Sequence, residues 1–92
     1  GDFTLTDVTN HKTGGSYSII MRNTGTSNSN IYFQSTSDND PTDIDMYFAN
    51  NIVPSTVLAG QQVVISMVSD GTNLYCTFAD FDAPDAIVTI VE

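Results

Sequence analysis

Apolar residues in this chain recur at every second position, in runs too short for a helix, and each run stops at Gly, Asn, Asp or Pro. Period two is the repeat of a strand with one buried face. An amphipathic helix needs apolar positions at i, i+3, i+4 and i+7 over ten residues or more, and no stretch sustains that. The pattern therefore predicts one all-β domain over residues 1–92, an immunoglobulin-like or jelly-roll-like β-sandwich of about seven or eight antiparallel strands at roughly 8–12-residue spacing.

The expected strands follow from the runs. Residues 3–7 alternate Phe3 and Leu5 with threonines, and residues 10–15 (NHKTGG) form a loop. Residues 16–23 put Tyr17, Ile19 and Met21 on one face and Ser18, Ile20 and Arg22 on the other. A turn over 24–29 gives Gly25 the left-handed backbone, and residues 30–34 return. Residues 35–43 are a polar loop, because Pro41 stops a strand from running through it. Residues 45–49 read as a short strand rather than a helical turn. Asn50, Asn51 and Pro54 turn the chain, 55–58 are extended, and Gly60 breaks it. The clearest hairpin joins 61–69 to 72–78 through Asp70-Gly71, a type I′ signal. It aligns Val63, Ile65 and Met67 on one strand, and Leu74, Cys76 and Phe78 on the other. Residues 79–85 read as an acidic loop. Residues 86–91 read as a last strand, apolar on both faces and so either central or covered by another subunit.

The charge excludes several partners. Eleven acids oppose Lys12 and Arg22, for a net charge of −9. Binding a phosphate backbone needs clustered cations, and so does docking on anionic lipid; neither nucleic acid nor membrane is expected as a partner. No run approaches the ~18 apolar residues of a membrane span. A single cysteine, Cys76, excludes an internal disulfide and a multi-cysteine zinc site. A chain this small without such a staple is expected to draw stability from self-association or a larger partner.

Little in the sequence carries chemistry, and neither a catalytic residue nor a cofactor is expected. His11, the only histidine, sits in a glycine-flanked loop with no nucleophile pattern around it, and reads as a solvated residue. Cys76, between Tyr75 and Thr77, reads as a small buried apolar side chain with no cation near to lower its pKa. There is no glycine-rich nucleotide motif. Asp38, Asp40, Asp43 and Asp45 are the calcium candidates, since calcium takes about six to eight oxygen ligands, often from alternating acids in a loop. The segment lacks the central Gly and distal Glu of a helix–loop–helix calcium site, and a plain acidic loop is the main reading. Asp80, Asp82 and Asp85 form a sparser cluster. Tyr17, Tyr32, Tyr47 and Tyr75 raise a sugar-binding face, but their place in strand patterns reads as core edge.

Two segments carry a resemblance. Residues 58–79, LAGQQVVISMVSDGTNLYCTFA, contain Ala59-Gly60 before a strand, the turn Ser69-Asp70-Gly71-Thr72-Asn73 and a return strand with Tyr75. Residues 17–33, YSIIMRNTGTSNSNIYF, contain a strand ending in an N-T-G turn and a short apolar strand. In chain order, 17–33 before 58–79, they resemble β modules of phage tail fibres and other virion structural proteins, with Leu74 where those modules often carry Trp. The resemblance implies a non-enzymatic virion protein, a capsid decoration (cement) or tail appendage component. It would stabilise the particle through strand-edge and loop contacts with other virion proteins such as the major capsid protein. Two other readings are an extracellular immunoglobulin-like module of a cell-surface, pilus or archaellum component, and a calcium-dependent carbohydrate-binding module.

Overall fold

The computed structural model describes residues 1–83. Seven strands lie in that span: β1 (Phe3–Leu5), β2 (Ser16–Arg22), β3 (Ser29–Phe33), β4 (Met46–Phe48), β5 (Thr56–Val57), β6 (Gln61–Ser69) and β7 (Leu74–Asp82). They form a three-stranded sheet in the order β1-β3-β5 and a four-stranded sheet in the order β2-β6-β7-β4. The expected last strand, 86–91, and Asp85 lie outside the described residues. No helix among the described residues is long and apolar enough to cross a membrane.

The two sheets close on one core. Met21, Val63, Ile65, Met67, Leu74, Cys76, Met46 and Phe48 come from the larger sheet, and Ile31, Phe33 and Val57 from the smaller. Phe33 meets Phe48 edge-on across the sheets at 6.0 Å between ring centroids. The period-two triples expected on β2, β6 and β7 all face this core, because strand alternation leaves them no other face once the register is set.

An all-antiparallel arrangement is overturned. β1 runs parallel to β3, and β4 parallel to β7. Only a tight hairpin forces antiparallel neighbours. Between β1 and β3 the chain passes through β2 of the other sheet, so no such constraint acts.

Four local expectations also change. The acidic loop at 79–85 is in part strand: β7 continues to Asp82, with Val63↔Asp80 and Gln61↔Asp82 in register. Its pairing with β6 holds it extended where its own sequence pattern does not. Residues 41–44 of the polar loop wind into a short 3-10 helix (Pro41–Ile44), and Ala49–Asn51 form another. Gly25 does not take the left-handed backbone; its N–H is held by the Asn23 side-chain oxygen at 3.0 Å, so the turn is made by Asn23. In the β6–β7 hairpin the positive φ falls on Gly71 (95°) and not on Asp70, the requirement of a glycine-first turn rather than type I′.

Candidate functional site

Three regions hold the residues that the sequence singles out. The first is the acidic segment. Asp40 caps the 3-10 helix: one carboxylate oxygen accepts the Thr42 N–H at 3.0 Å and the Thr42 hydroxyl at 2.6 Å. Asp38 accepts the Asp40 N–H at 2.8 Å. Asp45 closes the helix in the left-handed region at φ 58°. A hydrogen bond to Asp38, slight burial and the charges of Asp38 and Asp40 raise the Asp43 carboxyl above the ordinary range. Asp38 and Asp40 are thus occupied with the local backbone. Among the described residues no group of three or more His, Cys, Asp or Glu side chains is placed to hold a metal ion.

The second region is one end of the sandwich, where the loop at 10–15 folds over the SDGTN turn. The Gly14 N–H donates to the Ser69 carbonyl at 2.7 Å, and the Ser69 N–H to the Gly15 carbonyl at 2.9 Å. The Thr13 hydroxyl donates to the Asp70 carbonyl at 3.1 Å. His11 is half-buried, with Nδ1 hydrogen-bonded to the Ser69 hydroxyl, so it is not the solvated residue expected. Ser69 is 3 % exposed and its hydroxyl also accepts the Gly71 N–H, so the hydroxyl serves to lock the loop. A Cβ on Gly71 would come within 2.6 Å of the Thr13 hydroxyl, which explains the glycine beyond its φ. Asp70 accepts the Asn73 and Thr72 N–H groups and the Tyr75 hydroxyl, and these bonds hold its carboxyl below the ordinary value. The same bond raises the Tyr75 phenol. At the other end of β2, Asn23 is buried. Its side-chain N–H₂ donates to the Ser27 and Val57 carbonyls, so the N-T-G turn ties the two sheets together.

The third region, which sequence reasoning missed as a unit, is the outer face of the four-stranded sheet. Register sets three rows across it. Ser16, Val68, Tyr75 and Tyr47 form one; Ser18, Ser66 and Thr77 the next; Ile20, Val64 and Ala79 the third. Arg22, Gln62 and Phe81 lie beyond. Ile20, Val68, Tyr75 and Phe81 are each at least half exposed. Among the described residues no outer-face strand position carries an acid, although the chain has eleven, and Arg22 is the only charge at those positions. Tyr47 and Tyr75, expected at a core edge, stand exposed side by side with ring centroids 6.2 Å apart. They flank an open cleft of ≈ 250 Å³ that reaches Thr77. Their adjacency comes from the parallel β4–β7 pairing, which no local sequence signal announces. Tyr17 instead packs against the core and accepts the Lys12 N–H through its hydroxyl at 3.0 Å.

Beneath this face Cys76 is 2 % exposed, and burial pushes its thiol up to about 11, against a smaller opposing effect of a backbone hydrogen bond from Tyr47. It is a core residue, as the alternation predicts.

The larger sheet also has an open edge. Asn23 N–H bonds to Gln61 and Ser69 N–H to Gly15, so residues of that phase on β2 (17, 19 and 21) direct their backbone groups to β6. Ser16, Ser18, Ile20 and Arg22 direct theirs outward, and among the described residues no strand pairs with them. No protein-family model matches this chain, and no curated protein or solved structure matches it.

Proposed function

We propose that this chain is a non-enzymatic structural protein of a virus particle, a capsid decoration or tail appendage component that adds contacts between larger subunits. The observation that carries the reading is the β2 edge, unpaired among the described residues: seven residues, no Lys or Pro, and Arg22 only at its end. Proteins that stay free in solution shield such edges with charges, prolines or bulges, whereas an unshielded edge accepts an added strand. The resemblance of the N-T-G and SDGTN segments to virion β modules supports the same role, and the hydrogen bonds of Asn23 and Asp70 give those motifs a structural purpose. Among the described residues three strands face four, the number in an immunoglobulin-sized sandwich.

The test is to purify particles from the source sample and count this chain against the major coat subunit by quantitative mass spectrometry. A ratio near one, or a simple fraction of it, supports decoration, and a few copies per particle support a tail role. Absence from particles, with recovery in a cell-surface fraction, overturns the reading. In a reconstituted particle Ser18→Pro removes one outward N–H without touching the β2–β6 ladder, and is expected to lower occupancy severalfold.

One observation favours a second reading. The exposed Tyr47–Tyr75 pair, next to Thr77, is a surface on which a sugar ring stacks. It predicts a rise in melting temperature with added oligosaccharide.

A further inference from the structure

We infer that the outer face of the four-stranded sheet is a self-complementary contact that pairs with a second copy of this chain about a two-fold axis lying across the strands through Ser66. The register carries the argument. Such an axis, running through the row Ser18, Ser66 and Thr77, turns the row on one side onto the row on the other. Ile20 then falls over Ser16, Tyr75 over Ala79, and Val64 over Val68. Large meets small at two of the three strands, the third pairs two valines, and small hydroxyl residues lie on the axis, where side chains meet their own copies. Aligned sheets pack about 10 Å apart in this interdigitated manner.

Charge points the same way. A protein of net charge −9 resists meeting its own copy wherever acids face outward. This face is where the sheet positions hold none. Arg22 lies four residues from the axis on β2, and Asp70 four residues from it, in the opposite direction, just past the end of β6. The two-fold brings Asp70 of one copy to the end of the face that carries Arg22 on the other. Area sets the strength. About this axis residues 16–20, 63–69 and 74–80 overlie strand residues of the copy, each covering about 3.4 by 4.8 Å, so pairing two faces buries roughly 600 Å². That lies below the ~1,000 Å² of a stable interface, and it fits a weak, transient dimer.

This pairing stands whether or not the chain belongs to a particle, and its test is made in solution on the full chain. Sedimentation equilibrium at concentrations rising to roughly 1 mM, the scale of a weak contact, is expected to show the average mass climbing from 9.9 kDa toward twice that value. The dimer is expected to tighten with added salt as the −9 charges are screened. Ser66 is exposed, so Ser66→Asp leaves the single chain folded yet sets a charge against its own copy; it is expected to weaken the dimer at least tenfold, and Thr77→Asp to do the same. Mild oxidation of Ser66→Cys is expected to give one covalent dimer, with Cys76 too buried to contribute. A chain still monomeric at roughly 1 mM overturns the inference, and this is the outcome expected of a lone sugar platform. A dimer that survives Ser66→Asp, or that Ser66→Cys fails to trap, also overturns it and points to pairing at the β2 edge.

Discussion

The two faces of the four-stranded sheet are made by the same four strands and share one register, yet they are built from different chemistry. The inner face carries Ile65, Val63, Met67, Leu74 and Cys76, all nearly inaccessible, and meets the smaller sheet. The outer face carries Ile20, Val68, Tyr75 and Phe81, at least half exposed, among hydroxyl residues and with no acid at any described strand position. Nine of the chain's eleven acids are among the described residues, and all of them sit in loops, at termini or on the other face of the strands. The inner face makes the monomer. The outer face is kept clear of charge, and on our account that is because it meets another surface.

The comparison breaks most sharply at two residues of β6 on opposite faces. Ile65→Ala is expected to cost about 2–5 kcal/mol in denaturant unfolding, because its site is fully packed. Val68→Ala, half exposed, is expected to stay within about 1 kcal/mol when measured on dilute monomer. Equal losses would dissolve the distinction between the faces.

Next in size is Asn23→Ala, expected to cost about 1–3 kcal/mol, since it leaves the buried Val57 carbonyl without that donor and frees the turn between the sheets. The checking measurement is the urea midpoint at constant slope.

Asp70 and Asp43 sharpen the contrast between an acid that a turn uses and one that it crowds. Hydrogen bonds from Asn73, Thr72 and Tyr75 lower the Asp70 carboxyl in the fold. Its contribution is therefore full above the ordinary carboxylate range and is lost as pH falls through the lowered value. The gap in melting temperature between wild type and Asp70→Asn is expected to be open at pH 7 and to close in acid. Asp43 has the opposite sign. Its raised carboxyl contributes below the unfolded value, and that contribution is lost as pH rises through the raised one. Asp43→Asn is expected to raise the melting temperature slightly at pH 7 and to change nothing in strong acid. The smallest effect is kinetic: a thiol reagent at pH 8 is expected to leave Cys76 unmodified until the chain unfolds, because the thiol is buried and held near pKa 11.

What the sequence revealed and what it hid divide along the same line. The triples Tyr17/Ile19/Met21, Val63/Ile65/Met67 and Leu74/Cys76/Phe78 were legible because alternation is a local property. The end of β7 was not, since Asp80 and Asp82 resemble loop residues and only their pairing with β6 keeps them extended. The contact of His11 with Ser69 spans 58 residues of sequence. The Tyr47–Tyr75 pair depends on a parallel pairing between strands separated by β5 and β6. The acid-free face is likewise a sum over strands, visible only once register lines up single residues that look unremarkable one by one.

The central claim is that the outer face is the contact surface, and hydroxyl-radical footprinting of the free chain at rising concentration tests it most directly. Leu58 serves as internal reference, being exposed and next to β5 of the smaller sheet. The account predicts that Tyr75 and Phe81 lose reactivity as concentration rises while Leu58 keeps its own. Unchanged reactivity at Tyr75 and Phe81 where the chain already dimerises, or protection at Leu58 instead, would contradict it.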